Sequence, residues 1–253
     1  MHMTKYKFLV GTSLLTLSTM ASADVAGIYA GANRWNYDID GDVRSVGNNV
    51  SLTNDLGLSD DDSNILYLAL EHPIPLLPNI KIQQNKIEGN ATGVASQDFN
   101  FNNLNIAQGD ATITSYDLSH TDFTLYYEIL DNWVNLDLGI TAKDFDGHIL
   151  VGINGATVPA ATTLNLSGTV PLLYGKAQFD LPFTGLSTGV IAHLGQVSDD
   201  KMTDASAYLA YEGDSGFGVE IGYRTFSLEF DEFDGLSSDL TIDGFYAGFS
   251  FHF

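Results

Sequence analysis

Cysteine is absent from the 253 residues. No disulfide holds this fold together, and a metal site built on thiolate is excluded. Proline is scarce, and three of its six residues, Pro73, Pro75 and Pro78, crowd one short stretch. Basic residues are few, 10 Lys+Arg against 32 Asp+Glu, for a formal net charge of −22. A chain of this sign is a poor partner for nucleic acid and anionic lipid, and a better one for cations. Beyond the N-terminus, no apolar run approaches the roughly 20 residues of a membrane helix. There is no phosphate-binding glycine loop, and the histidines lack tight metal spacing. No cofactor and no metal is therefore expected. Glycine (25), phenylalanine (15) and tyrosine (12) are what is plentiful.

The first residues read as a secretory leader. Lys5 and Lys7 precede an apolar stretch from Phe8 to Leu17 and a small-residue site at Ala21-Ser22-Ala23. Residues 1–23 are expected to be a signal peptide, with a single domain over 24–253. Cleavage would remove Lys5 and Lys7 and make the charge more negative still.

Period-two alternation then runs along the chain. In "VNLDLGITAK", Val134, Leu136, Leu138, Ile140 and Ala142 oppose Asn135, Asp137, Gly139, Thr141 and Lys143. "FGVEIGYR", "LLYGKAQFDL", "ILYLALEH" and "TDFTLYYEIL" repeat the arrangement. The connections alternate in length. "HPIPLLP", "DNW", "PFTG" and "GDSG" are tight turns, while the stretches between them are mostly longer and polar. Short turns on one rim and long loops on the other is the pattern of a transmembrane antiparallel up-and-down β-barrel. Ten strands are expected, near 25–37, 64–71, 79–88, 111–130, 134–145, 168–181, 186–197, 203–212, 217–230 and 240–253. Eight strands would follow if the first paired poorly, and twelve if Gln97 to Gln108 made its own hairpin. The third strand is weak, because its alternation aims Gln84 and Lys86 at lipid. Either a bulge changes its register or that half projects beyond the membrane.

The closing segment "FYAGFSFHF" places Phe245, Ala247, Phe249, Phe251 and Phe253 on one side of an extended strand. In hydrocarbon every backbone group needs a partner within the protein, so the sheet must close and the last strand must pair with the first. This ending resembles the assembly signal of outer-membrane barrels, with Phe249, Phe251 and Phe253 as its residues. A soluble β-sandwich would show similar alternation, and the terminal strand is what favours the barrel. Tyr29, Trp35, Tyr37, Tyr127, Trp133 and Phe183 lie near strand ends or turns, where aromatic girdles would place them.

On these registers Glu71, Lys81, Glu128, Asp137, Lys143, Lys176, Asp180, Glu220 and Arg224 point into the lumen. In a barrel of ten strands these charges should pair and leave a plugged or narrow interior. Two other functions are open to such a chain. Ser119, His120 and Asp122, with Asp144, Asp146 and His148, suggest a hydrolase at the outer rim. Adjacent Ser119 and His120, however, fall on opposite faces of a regular strand, and no catalytic residue is assigned. The other is a small-solute channel. The acidic stretches "DIDGD" and "SDDDSN" lack the spacing of a calcium loop, though divalent cations bridging them to lipopolysaccharide phosphates remain an expected partner. The other expected partners are outer-membrane lipid and the barrel-assembly machinery, and the expected location is the cell outer membrane.

From Ser51 to Gln83 the chain reads "SLTNDLGLSDDDSNILYLALEHPIPLLPNIKIQ". The phrase "LxxDLGL", the acidic spacer and "EHPIPLLPN" resemble a family of small gammaproteobacterial outer-membrane proteins found in genomes with GlyGly-CTERM protein sorting. The start "GIYAGANRWNYDIDGD" and the aromatic ending are similar too. The resemblance implies a barrel in the outer membrane and no known activity; the role expected for the chain is a structural or interaction one. It carries no catalytic residues. Leu56 and Leu58 are expected to return the first long loop to the rim. The three prolines are expected to stiffen the first turn.

Overall fold

The computed structural model describes residues 27–44, 48–155, 160–233 and 236–253. The expected leader, 1–23, lies outside them. In chain order the strands are β1 (Gly27–Arg44), β2 (Val50–Ser51), β3 (Asp61–Glu71), β4 (Asn79–Lys86), β5 (Glu88–Val94), β6 (Phe99–Phe101), β7 (Leu104–Ile106) and β8 (Ala111–Asp117). They continue as β9 (His120–Leu130), β10 (Val134–Ile153), β11 (Ala160–Leu181), β12 (Leu186–Val197), β13 (Asp200–Glu212), β14 (Phe217–Phe233) and β15 (Leu236–His252).

Ten of these close into an antiparallel barrel in the order β1-β3-β4-β9-β10-β11-β12-β13-β14-β15. The seam joins β15 to β1 from Tyr29 opposite His252 to Arg44 opposite Ser237. Reciprocal bonds between Ile28 and Phe253, at 2.8 and 3.1 Å, finish it. The first strand pairs fully on both sides, so the eight-stranded alternative falls. Residues 99–106 do form a hairpin, but it is a separate two-stranded sheet and adds nothing to the ring. Following paired residues once round the ring, from Leu181 by way of Leu186, Ala32 and Asp144, returns to β11 at Thr169. A stagger of about twelve residues over ten strands tilts the strands by about 40°.

Each long strand has two halves of opposite polarity. Near the turn end the outward residues are apolar: Ile140 is 59% exposed, Leu173 68% and Phe245 73%. Water does not tolerate so continuous a belt, and hydrocarbon requires it. Farther up, the apolar residues change sides. On β14, Phe217, Val219, Ile221 and Tyr223 face out, whereas Phe226 and Leu228 are buried inside. On β15 the outward Phe245 to Phe253 give way to inward Leu240 and Ile242. On β1 the inward apolar set is Trp35, Tyr37 and Ile39. No bulge lies between the two halves of β1 or β15. The lower barrel is a membrane wall, and the upper barrel is a water-exposed sheet around an ordinary core.

This switch corrects the aromatic girdle. Trp35 and Tyr37 are interior, 0% and 2% exposed, and Tyr29 stacks on His252 with ring centroids 4.1 Å apart, at the inner rim. Tyr127, Trp133 and Phe183 do lie on the exposed surface. The third strand keeps its register with β3 up to Lys86 and with β9 up to Asn85, so it projects rather than bulges. Gln84 and Lys86 point outward beside Asn64 and Arg34, and Arg34 pairs with Asp62 and with Asn64. The apolar belt is lower on this side.

The third and fourth expected strands each break once. Ile87 separates β4 from β5, and Leu118-Ser119 separate β8 from β9. The two breaks bond to each other, Leu118 N to Ile87 O at 2.8 Å and Ile87 N to Ser119 Oγ at 3.1 Å. Above them β5 and β8 leave the ring and extend the sheet along the top of β10.

That extension seats the "LxxDLGL" phrase. Leu52, Leu56 and Leu58 are buried in the upper core. Gly57 has φ 75°, and a Cβ there would stand 2.2 Å from Thr92 O, so only glycine fits. Asp55 is 1% exposed. Its carboxylate accepts from Ser51 N (2.9 Å), Ser96 N (2.8 Å) and Ser96 Oγ (2.6 Å). Thr112 and Thr114 donate to the carbonyls of Asp55 and Leu56. Burial alone would raise the Asp55 pKa, but the bonds from Ser96 and Ser51 outweigh it and hold it below the usual carboxylate value. The folded pKa is depressed, so this stabilisation is complete above the unfolded value near 4 and is lost as pH falls through the lower folded value. Asp55→Asn is expected to cost about 1–3 kcal/mol at neutral pH. Thermal midpoints of wild type and variant should differ by a constant amount from pH 7 to about 5 and converge below about 4. A difference that does not change across that range would contradict this account.

Candidate functional site

Where the apolar side changes over, a layer of charge crosses the barrel. Lys143 on β10 stands directly opposite Asp122 on β9 and is 0% exposed. Its ammonium lies 2.9 Å from both carboxylate oxygens of Asp122, 3.0 Å from Asp204 Oδ2 and 3.0 Å from His120 Nε2. Arg224 on β14 clasps Asp204 with two bonds, from Nε at 2.8 Å and Nη2 at 2.7 Å. Its Nη1 donates to Asn85 Oδ1 at 2.8 Å, and Asn85 Nδ2 donates to Asp122 at 3.2 Å. Arg224 also lies 4.7 Å from the Trp35 ring centre. Two cations face two carboxylates, and nearly every donor is used, which is the condition for burying such groups. His120 Nδ1 is 2.9 Å from Leu118 O, a pure acceptor, so Nδ1 carries the proton and Nε2 accepts from Lys143.

His120, Asp122 and Asp204 stand close enough to share one metal ion. Lys143 bonds to all three, so its ammonium already fills that position as a cation tethered to the chain. Below this layer, Thr124 and Thr141 share a bond of 2.8 Å, and Thr141 meets His193 Nδ1 at 2.9 Å.

Toward the turn end the lumen opens into a vestibule of about 260 Å³. Tyr67, Tyr126, Tyr174, Tyr208 and Tyr246 line it, with charges between them. Tyr126 donates to Glu71 at 2.7 Å, and Asn79 donates to Glu128 at 2.9 Å. Lys176 stands 3.6 Å from Asp137.

The nine lumen residues expected from sequence thus divide between two levels. Lys143 and Arg224 belong to the buried layer. Glu71, Lys81, Glu128, Asp137, Lys176 and Glu220 line the vestibule, and Asp180 lies at its edge, bonded by Asn135 and Gln178. Sequence reasoning missed Asp122, His120, Asp204 and Asn85 as members of the layer. Asp122 was legible from parity with Lys143 across a three-residue turn. Asp204 was not, because it reaches Lys143 across the barrel. The hydrolase grouping does not assemble. His120 is engaged at both nitrogens inside the wall, Ser119 accepts from Ile87 N, and Asp144 and Asp146 are exposed.

Fold and interior together define a transmembrane β-barrel of the outer-membrane kind. No family model and no curated protein matches the chain. Similar solved structures include a FadL homologue of Pseudomonas aeruginosa, 11% identical, covering 91% of this chain and 90% of that one at a TM-score of 0.39. Another is the toluene transporter TodX of Pseudomonas putida, 11% identical, covering 90% and 89% at 0.37. A third is Ail, the attachment invasion locus protein of Yersinia pestis, 10% identical, covering 88% and 98% at 0.30. At such scores no activity or ligand passes from them to this chain.

Removing one member of the layer should be costly. Lys143→Met leaves Asp122 and Asp204 short of a cation in a buried site, for a loss of about 3–5 kcal/mol. The readout is the urea midpoint of the purified barrel, or the temperature at which its gel mobility changes. Unchanged values for Lys143→Met would mean that the layer does not hold the barrel together.

Proposed function

We propose that this chain is an integral barrel of the outer membrane with a structural or interaction role and without an open pore. The observation that carries the reading is the stack of fillings across the lumen. A vestibule at the turn end is followed by the ion layer and then by a packed core of Trp35, Tyr37, Phe226 and Ile242, with the loop residues Leu52 and Leu56. Short turns mark the periplasmic rim in barrels of this kind, so the vestibule opens to the periplasm. The extended strands and their acidic loops then stand outside the cell.

The resemblance of "LxxDLGL" and "EHPIPLLPN" to the GlyGly-CTERM-associated family supports the same reading. Several partners fit it. Lipopolysaccharide would surround the upper belt, and divalent cations would bridge its phosphates to Asp38, Asp40 and Asp60. The outward row Phe249, Phe251 and Phe253 on the seam strand is what an assembly machinery would read.

The test has two parts. The protein should be recovered in the outer-membrane fraction and should migrate faster on a gel unheated than boiled. In planar bilayers it should add no large, steady conductance. A permanently open channel would overturn the sealed reading. Recovery as a detergent-free soluble monomer would overturn the membrane assignment.

A further inference from the structure

The vestibule has a construction that sealing does not require. Three of its tyrosines lie flat on the wall, each over a glycine of the adjoining strand. An added Cβ would stand 2.3 Å from Tyr67 at Gly31, 2.7 Å from Tyr208 at Gly189 and 2.6 Å from Tyr246 at Gly222. Rings laid flat leave the barrel centre free, where upright ones would fill it. The space, about 260 Å³, equals about nine waters at ~30 Å³ each.

Two groups in it are left with spare bonding capacity. Tyr174 is 4% exposed and faces the cavity, and its hydroxyl has no hydrogen-bond partner among the described residues. Lys81 makes no hydrogen bond or ion pair with a described residue, and its ammonium stands 4.9 Å from the Tyr67 ring centre. The Tyr174 hydroxyl is open to the cavity rather than sealed in the wall, so both groups can bond a molecule that enters it.

Charge sorts by depth. Glu71 and Glu212 end their strands, and Glu128 and Asp131 flank the end of β9, so carboxylates ring the mouth. Lys81 and Lys176 lie further in, beside Asp137 and Glu220. A small anion must pass the carboxylates, and the inner level, two ammonium groups with two carboxylates, has no net charge to hold a small ion of either sign. A neutral polyhydroxy compound is opposed by neither. Its hydroxyls can accept from Lys81, Lys176 and Tyr174 and donate to Glu71, Glu128 and Asp137, while its C–H faces rest on tyrosine rings. We propose that the vestibule is a binding site for a neutral saccharide of about one hexose ring, entering from the periplasm. The proposal rests on the sealed-barrel reading above.

The experiment is calorimetric titration of the whole barrel, held in an amine-oxide detergent so that no sugar head group competes. D-glucose and N-acetyl-D-glucosamine are the probes, with succinate and spermidine as charged controls. Saturable binding of at least one sugar and none of either control is expected. Tyr174→Phe, which removes one hydroxyl and keeps the ring, should weaken binding about five- to tenfold. Gly31→Val, where the three atoms nearest the added Cβ all belong to the Tyr67 side chain, should push that ring into the cavity and abolish it. Failure of both sugars to bind, saturable binding of a charged control, or sugar binding unaltered in both variants would overturn the proposal. Heat-modifiable migration of each variant shows separately that the barrel is folded, and bilayer recording shows that it is sealed. A folded, sealed barrel that ignores both sugars therefore defeats this inference alone.

Discussion

The face of the sheet that must be apolar reverses at one level of the barrel. Below that level hydrocarbon lies outside and water inside; above it, water lies outside and packed side chains inside. The backbone continues through without a bulge on β1 and β15, so the reversal is made by side chains alone. A strand has two faces, and residues two apart share one. The polarity must therefore jump from one parity to the other within a few residues. On β15 the jump falls between Phe245 and Ile242, and on β14 between Tyr223 and Phe226.

The ion layer stands where neither rule applies. At this height the outer face passes from the apolar belt to polar residues such as Gln84, Lys86 and Asp144, while the inward charges are buried. They are also too far from the vestibule mouth to be hydrated freely. Charges placed here must satisfy one another, which explains why Lys143 carries four short contacts and Arg224 three. The layer is neutral, and its bonds run between β4, β9, β10, β13 and β14. It ties strands together across the lumen, through Lys143 to Asp204 and Arg224 to Asn85.

The lower half of this design was plain in the sequence. Period-two alternation, ten strands, tight turns on one rim and pairing of the last strand with the first all follow from residues such as those of "VNLDLGITAK" and "FYAGFSFHF". The upper half was harder, because its rule is the opposite one. Read with the membrane rule, Trp35 and Tyr37 become girdle residues, whereas they are core. The breaks at Ile87 and Leu118-Ser119 carry no glycine or proline to announce them. Contacts across the ring, such as Lys143 with Asp204 or Arg224 with Asn85, depend on barrel closure and stagger, which no local pattern encodes. The phrase "LxxDLGL" was recognisable as a phrase, but its meaning needed the partner strands.

That meaning is structural at each written position. Leu52, Leu56 and Leu58 fill the upper core, Gly57 permits close approach to Thr92, and Asp55 ties the loop to Ser51 and Ser96. These contacts are made with β5 and β8, with the link that follows β5, within the loop itself, and with the upper part of β1, where Leu52 N bonds to Gly41 O at 3.0 Å. None is made with the lipid-facing belt. The raised sheet and the loop therefore form a lid built on the barrel and separate from its membrane wall. The core and the ion layer lie between this lid and the vestibule residues Tyr174 and Lys81. The two ends of the molecule are therefore built by different rules, and the filled middle of the barrel is what separates them.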